Sequence, residues 1–449
     1  MRLAVRKAVV LCVLALNRSA WAQAASPVLP TDATLTKLIA DSLTARPEVA
    51  QAKAVAHANQ ERVSQVGALP DPMLQIGIQN DGFRSIEIGR MDTSFLSVMA
   101  SQTFPWPGKL QLREDAAKLG ASQTLKAVAR LQLSTEADVR REYLDLVLVR
   151  DRLVLLDQLE VIWRRSRDVA QSRYATGAQS DVLRAQLELN RIEQRRFALQ
   201  AREQSRAQAL NRLSVHPLAD AIDTSATHVR DLAVLAPLER VFSSQHALAR
   251  SPELAAARLG TTRANNALSL AEKSYYPDLT VSAGIMYRGQ LPAMWLATVA
   301  GPLPIFAGAK QNRAVAENEA WLGAAKNEVS ALEQLLLLRS EERRVAFSSL
   351  RKEVALYQQA LLVQSAATSE STLAQYAVGK LPFASVLEAN AGYIADQEAY
   401  LETVAAAHRL LIAEVEVSLA ASPMPLEAAN SSAMTTTGNG QSEASPSSM

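Results

Sequence analysis

An internal duplication constrains this chain more than any other feature of its 449 residues. The segment Arg46–Ala50 recurs as Ser251–Ala255, and the segment Tyr174–Gly177 recurs as Tyr376–Gly379. These landmarks keep the same order in both halves and lie about 200 residues apart, whereas solenoid repeats have periods of about 20–50 residues. The spacing therefore indicates that a whole structural unit was duplicated.

Each copy has the same predicted order of elements: a helix, a pair of strands, a very long helix and a returning helix. In the first strand Leu74, Ile76 and Ile78 alternate with polar residues or glycine, as in a half-buried strand. The long segments contain no proline, and each ends at the glycine of a Tyr-Ala-x-Gly segment, where glycine readily ends a helix. The predicted helices are 32–68, 109–176 and 180–213 in the first copy and 239–275, 309–378 and 384–421 in the second, and the predicted strands are 73–82, 93–104, 278–287 and 294–303.

We therefore expect a mainly α protein with a small β part, built as a duplicated unit of helix, β-hairpin, long helix and helix. The first copy is predicted at residues 25–230 and the second at 231–421. Apolar stretches in the long helices are interleaved with charged residues, which is typical of a coiled coil.

The two ends of the chain are predicted to differ from the repeats. Basic residues precede the apolar run 8–16, and the small residues Ala22 and Ala24 offer a signal-peptidase site after Ala24, with cleavage after Ala22 as the alternative. Cys12, the only cysteine, falls within this predicted signal peptide, 1–24, so no disulfide and no cysteine-based site is expected in the exported chain. Residues 422–449 are rich in Ser, Thr, Asn and Gly and are predicted to form a disordered tail.

The predicted strands have the length that crosses a bilayer when tilted, about 10 residues. Backbone groups in lipid must all be hydrogen-bonded, so spanning strands have to form a closed barrel. Known barrels begin at about 8 strands, so the four strands of one chain do not close one and several chains would have to share it. A small soluble sheet is the alternative that the alternation itself leaves open.

Together with the signal peptide and the duplication, both Tyr-Ala-x-Gly turns are followed by a Val-Leu-x-Ala segment, at Val182–Ala185 and Val386–Ala389. This ordered set resembles the TolC family of outer-membrane efflux channels. Leu69–Met73 and Pro302–Gln311 are most similar to its heavy-metal branch, the CzcC- and CusC-like proteins. The resemblance implies a homotrimer in the cell outer membrane whose chains share a twelve-stranded transmembrane β-barrel and continue into the periplasm as an α-barrel tunnel. It also implies two protein partners, a periplasmic adaptor (membrane fusion) protein and an inner-membrane resistance-nodulation-division pump.

The expected function is that of an outer-membrane exit duct in a tripartite efflux system that exports heavy-metal cations. Drug or solvent efflux and type I secretion are alternatives with the same fold, and a soluble periplasmic coiled-coil structural or adaptor protein is an alternative of another class. The net charge of +2 gives no argument for a nucleic-acid partner. No catalytic constellation stands out, so we expect no enzyme activity, no cofactor and no resident metal site. The strand methionines are read as packing or lipid-facing residues, with a Cu(I) path as the alternative.

The resemblance also implies where a gate would lie, because helices of that family close the tunnel near the periplasmic turns and acidic residues ring the aperture. Residue by residue, the match gives an aperture acid, an acid before Val-Leu-x-Ala, a turn tyrosine and a neighbouring cation. These gate candidates are Glu388, Asp181, Tyr376 and Lys380, and the helix-turn positions are Tyr174, Gly177 and Gly379. The second acid of the family corresponds to Ser385, and its basic partner corresponds to Leu381, beside Lys380. For Asp181, a simple helix N-cap is the alternative.

Overall fold

The computed structural model describes residues 32–173 and 179–421. The predicted signal peptide, the predicted tail and the first Tyr-Ala-x-Gly turn with Tyr174 and Gly177 lie outside the described residues. The described helices are α1 (Ala33–Ala45), α2 (Pro47–Gly67), α3 (Lys109–Ser172), α4 (Gln179–Ser214), α5 (Ser244–Arg250), α6 (Pro252–Glu272), α7 (Gln311–Leu356), α8 (Leu362–Ala377) and α9 (Phe383–Val415). The strands are β1 (Met73–Gln79), β2 (Phe95–Phe104), β3 (Leu279–Arg288) and β4 (Leu291–Ala300). Among the described helices, none combines the length and the apolar character that a membrane crossing requires.

Contacts divide the chain into two compact units, and neither unit corresponds to one repeat. The sheet unit comprises residues 47–131 and 251–334, and the helical unit comprises the described residues of 1–46, 132–250 and 335–449. Each unit therefore takes matching parts from both copies of the duplication, so the predicted boundary at residues 230 and 231 separates two copies in sequence but not two bodies in space.

The helices predicted at 32–68 and 239–275 are each interrupted at the same place in the repeat. Arg46, with φ −65° and ψ 123°, separates α1 from α2, and Ser251, with φ −65° and ψ 114°, separates α5 from α6. Both residues precede a proline, whose ring pushes the preceding residue out of the helical region. Both breaks coincide with the passage of the chain between the two units, so the duplicated Pro-Glu landmark marks a structural boundary.

The sheet unit contains one antiparallel sheet in the order β1-β2-β3-β4. The register places Ile76 opposite Val98, Val98 opposite Ile285, and Ile285 opposite Trp295, so these four side chains share one face. That face is apolar and open in the single chain, with Ile76 67 % and Trp295 79 % exposed. The opposite face is mixed. It carries the polar or small residues Gln75, Gln79, Ser97, Ser101, Thr103, Thr280, Ser282, Gly284 and Thr298, together with the apolar residues Met73, Phe95, Met99, Met286, Met294 and Leu296.

The strands β1 and β4 differ most from the predicted ranges, because the loop after β1 begins earlier and the turn before β4 is shorter than expected. β1 ends at Gln79 because the Asn80 amide bonds to the backbone carbonyls of Gly82 and Ser85, both at 2.8 Å, and draws the chain into a loop. The second hairpin needs only Gly289 and Gln290 between its strands. Gly289 has φ +61°, which glycine adopts without strain, and β4 consequently runs from Leu291 to Ala300 rather than over 294–303.

The helical unit is organised around the C-terminal half of α3. Between Tyr143 and Val149 every residue except Asp145 is buried, as expected for a helix that is apolar on almost all sides. The same core contains Trp163, Phe347 and Leu411 from α3, α7 and α9. The helix predicted over 309–378 extends from Gln311 to Ala377, with one π-helical turn, Tyr357–Leu361, between α7 and α8. This turn directs Gln358 to donate to the hydroxyl of Tyr400 on α9 at 3.1 Å, so the added residue fits the packing between the two helices.

Candidate functional site

The second Tyr-Ala-x-Gly segment forms a glycine-terminated helix end after α8. The amide of Gly379 donates to the carbonyl of Tyr376, and the amide of Lys380 donates to the carbonyl of Gln375, both at 2.9 Å. These two bonds define a Schellman motif, which requires a left-handed residue after the helix. Gly379 fills that position with φ +80°, and its predicted role as a helix-turn residue thus has a backbone reason.

Tyr376 and Asp181, both predicted as gate residues, lie in direct contact. The Tyr376 hydroxyl donates to the Asp181 carboxylate at 2.9 Å. The tyrosine is only 1 % exposed, and its ring packs edge-on against Phe383 with centroids 5.2 Å apart. Burial and the bond to Asp181 raise the pKa of Tyr376 to about 12. The phenol therefore stays protonated and acts as a donor at all ordinary pH values.

Asp181 lies in the first turn of α4, which begins at Gln179. It is thus inside the helix rather than at the N-cap, and the N-cap alternative is wrong. A carboxylate at this position also interacts favourably with the positive end of the helix dipole. The aspartate therefore has two stabilising surroundings, the start of its own helix and the hydroxyl of a residue far away in sequence.

Arg173 supplies the cation of this cluster, which sequence reasoning assigned to Lys380. The Arg173 guanidinium carbon lies 4.7 Å from the centroid of the Tyr376 ring, within the range of a cation–π contact. The same side chain donates to the Tyr376 carbonyl at 2.8 Å. By contrast, Lys380 is exposed, and its ammonium has no hydrogen bond or ion pair with residues 32–173 or 179–421. The one available sequence signal for Arg173 is that it directly precedes the first Tyr-Ala-x-Gly segment.

Gly379 also leaves room for that arginine. A Cβ atom at this position would lie 3.3 Å from Nη2 of Arg173, closer than most side-chain contacts. The glycine therefore serves the Schellman motif and the approach of Arg173 at the same time. The cluster of Arg173, Tyr376, Asp181 and Gly379 joins the end of α3, the start of α4 and the turn after α8, and we name it the turn cluster.

Glu388 lies apart from the turn cluster contacts, on an open groove between α8 and α9. The groove has a volume of about 400 Å³, and both Glu388 and Asp396 contribute to its lining. The other lining residues are Ser365, Thr368, Thr372, Ser385, Ala389, Gly392 and Tyr393. Glu388 and Asp396 are two helical turns apart on one face of α9. Sequence reasoning found Glu388 and noted Ser385 where a second acid was expected, but it missed Asp396, which supplies a second carboxylate on the same groove.

A buried polar link ties the helices α3, α8 and α9 of the helical unit together. Asn390 on α9 is 1 % exposed; it accepts from Ser369 on α8 at 2.6 Å and donates to Ser166 on α3 at 3.3 Å. Buried polar groups that are fully bonded fix a unique packing, since any shift leaves them unpaired. Sequence reasoning missed this link, because single polar residues in long helices normally face water.

No family model matches this sequence, and no curated protein matches it by sequence. Solved structures do match its fold. The chain is similar to a membrane protein from Pseudomonas aeruginosa (TM-score 0.73, 18 % identity, 87 % of this chain and 93 % of that one). It is also similar to the outer membrane protein VceC from Vibrio cholerae (TM-score 0.71, 18 % identity, 86 % and 96 %) and to CusC, described as forming a transmembrane channel (TM-score 0.70, 17 % identity, 86 % and 92 %). The described chain thus has the fold of outer-membrane channel proteins.

Proposed function

We propose that this protein is an outer-membrane exit duct, working as a homotrimer with a periplasmic adaptor and an inner-membrane pump. The observation that carries the proposal is the sheet, which has unpaired edges at β1 and β4 among the described residues. One of its faces is apolar and exposed, and the other, which we call the polar face, holds most of the polar residues of the strands beside several methionines. Such edges are normally covered or paired, and an apolar face of this size marks a contact with lipid or protein. A closed barrel in a membrane satisfies both requirements at once.

The resemblance to the TolC family implies three chains, and the number of strands agrees with it. Two copies would give eight strands, and the interior of an eight-stranded barrel is filled by its own side chains. Three copies give twelve strands and are the smallest assembly that leaves a passage. The polar face, with residues such as Gln75, Ser97 and Thr280, would line this passage, and the apolar face with Trp295 would contact lipid.

We assign the gate to the turn cluster and the aperture to Glu388. The bond between Tyr376 and Asp181 and the contacts of Arg173 hold the turn after α8 to α3 and α4. In the proposed gate, opening would break these contacts. Three-fold symmetry would bring each Glu388 near its own copies. A ring of carboxylates attracts cations and repels anions, and Asp396 extends the acidic lining along the same groove.

For the cargo we favour heavy-metal cations over drugs or solvents. The sequence segments most similar to the heavy-metal branch and the acidic lining at Glu388 and Asp396 support this choice. The likeness in fold does not separate the substrates, since the TM-score with CusC, 0.70, is close to the other two, 0.73 and 0.71. Growth of a deletion strain in graded metal salts and in graded drugs separates them. Sensitivity to drugs with unchanged sensitivity to metals would overturn the metal assignment alone.

The duct itself is tested by membrane fractionation and by gel mobility with and without heating. We expect the protein in the outer-membrane fraction, extracted only by detergent, as an assembly with three times the chain mass that heat converts to monomer. A monomer recovered from the soluble periplasmic fraction would exclude the duct and favour the soluble coiled-coil alternative.

A further inference from the structure

An ion pair joins the two repeats at the end of the sheet where β2 ends and β3 begins. The Lys109 ammonium donates to the Asp278 carboxylate and to the carbonyl of Tyr276, both at 2.7 Å. The same Asp278 oxygen accepts from the Trp106 amide at 3.0 Å, and the Trp106 and Tyr276 rings stack with centroids 4.9 Å apart. Lys109 is 7 % exposed. We name this set the strand-base clasp.

The duplication places a second lysine and a second aspartate near, though not at, the corresponding positions. Lys109 is the first residue of α3, and Lys310 directly precedes α7. Asp278 directly precedes β3, and Asp71 precedes β1 with only Pro72 between them. In an antiparallel sheet, the ends of β2 and β4 and the starts of β1 and β3 lie at the same edge, so all four residues belong to one end of the sheet.

Within one chain, Lys310 and Asp71 do not form the ion pair that Lys109 and Asp278 form. β2 and β3 are hydrogen-bonded neighbours, whereas β4 and β1 are the two outer strands. Lys310 and Asp71 are both exposed, and in the part of the chain that the structure describes neither side chain has a hydrogen bond or an ion pair. Opposite charges thus stand unpaired beside the two open edges, at the same end of the sheet as the strand-base clasp.

We propose that Lys310 of one protomer binds Asp71 of the partner subunit, and that this pair closes the barrel as the strand-base clasp closes each chain. The inference rests on the proposed trimer, in which β4 of one copy neighbours β1 of the next. Asp71 lies two residues before β1, where Asp278 lies one before β3, and Lys310 lies ten residues after β4, where Lys109 lies five after β2. The longer segment before Lys310 and the flexible four-carbon stem of lysine give the two charged groups the reach to meet. Clasps within and between chains would then alternate around one end of the barrel.

The pair is tested by cross-linking in a Cys12→Ser background, where introduced thiols are the only ones. Chains carrying D71C are co-expressed with chains carrying K310C and treated with a short bis-maleimide. A spacer is needed because a disulfide requires Cβ atoms about 3.5–4.5 Å apart, whereas a lysine–aspartate pair holds them farther apart. We expect covalent dimers on a denaturing gel, and covalent trimers when both cysteines are in one chain. The matched control, K109C with D278C in one chain, should remain a monomer.

Charge reversal gives a second measurement that does not depend on the cysteine variants. D71K and K310D should each lower the temperature at which the trimer dissociates on the gel, and the two changes together should restore it. Intact trimers without cross-links and without rescue would overturn the Lys310–Asp71 pair and leave the duct standing. A wild-type chain that forms no trimer would overturn the duct, and the pair with it.

Discussion

Replacing Tyr376 by phenylalanine tests whether the turn cluster holds the duct closed. The substitution removes the hydroxyl that donates to Asp181 at 2.9 Å and keeps the ring that contacts Phe383 and Arg173. An exposed pair would be worth about 0.2–1 kcal/mol. Here the donor is buried and the acceptor is charged, so the higher range of about 1.5–3 kcal/mol applies. Asp181 is half-buried, so water hydrates its carboxylate once the hydrogen bond is lost. We therefore expect each chain to lose about 1.5 kcal/mol of stabilisation.

If the turn cluster is the gate, the stabilisation lost per chain changes the ratio of closed to open channels. If the three turns open independently, about 1.5 kcal/mol shifts each closed-to-open ratio about tenfold. If they open together, the combined loss of about 4.5 kcal/mol shifts the ratio about a thousandfold. The double variant with Asp181→Ala should act more strongly than either single change, since Asp181 also loses its place at the start of α4. Because Tyr376 and Asp181 share one hydrogen bond, its effect should be smaller than the sum of the two single effects.

Single-channel recording in planar bilayers measures this shift as resting conductance. The matched control is Tyr357→Phe, since Tyr357 lies in the π-helical turn before α8 and its hydroxyl has no hydrogen-bond partner among the described residues. We expect Tyr376→Phe to raise resting conductance and Tyr357→Phe to leave it unchanged. Equal conductance in the two variants, with both assembled as trimers, would remove the Tyr376 bond from the gate.

Three further outcomes follow from other parts of the helical unit. Arg343 is 2 % exposed and is paired with a buried glutamate on α9. Arg343→Ala should therefore lower the free energy of unfolding, measured by denaturant titration, by about 3–5 kcal/mol, whereas Arg344→Ala, at an exposed neighbour, should change it little. Glu388→Gln should lower cation preference and cation block in bilayer recordings, whereas Glu370→Gln, an exposed change outside the groove, should leave both unchanged. The same cation preference and block in the two variants would place the aperture elsewhere. Hydrogen bonding to an aspartate on α3 raises the pKa of His228, so its stabilising effect is complete below about pH 6.5 and is lost as the pH rises through the raised pKa. The loss is below about 1 kcal/mol because the ring is half exposed, and His228→Gln should abolish it. A wild-type free energy of unfolding that stays the same across this pH range would contradict the prediction.

The sequence predicts the strands and helices well where the pattern is local. Alternation at Leu74, Ile76 and Ile78 indicates a strand with one apolar face, and that face appears in the sheet as expected. The breaks at Arg46 and Ser251 have a local signal, because a proline follows each residue. The helical pattern on both sides of each proline nevertheless predicts one continuous helix. The π-helical turn at Tyr357–Leu361 has no such local signal, because it arises from packing against α9.

The candidate site is predictable only where a repeated motif marks it. Tyr376 and Gly379 stand in a repeated segment, and Asp181 stands before another, so a resemblance between whole patterns identifies all three. Arg173 lies one residue outside its motif, and its role depends on a ring about 200 residues away in sequence. The pairing of Asn390 with two serines is equally non-local, and no pattern within any one of these helices indicates that the residue is buried.

The two copies of the duplication therefore cooperate through contacts that join one copy to the other. At the turns, the first copy contributes Arg173 and Asp181, and the second contributes Tyr376 and the glycine-ended helix that receives them. At the base of the sheet, the first copy contributes Lys109 and the second contributes Asp278. In each contact a residue of one copy binds a residue of the other, although each copy has its own lysine and its own aspartate beside the sheet. The same argument, applied to the halves that remain unpaired at Asp71 and Lys310, extends from repeats within a chain to chains within a ring.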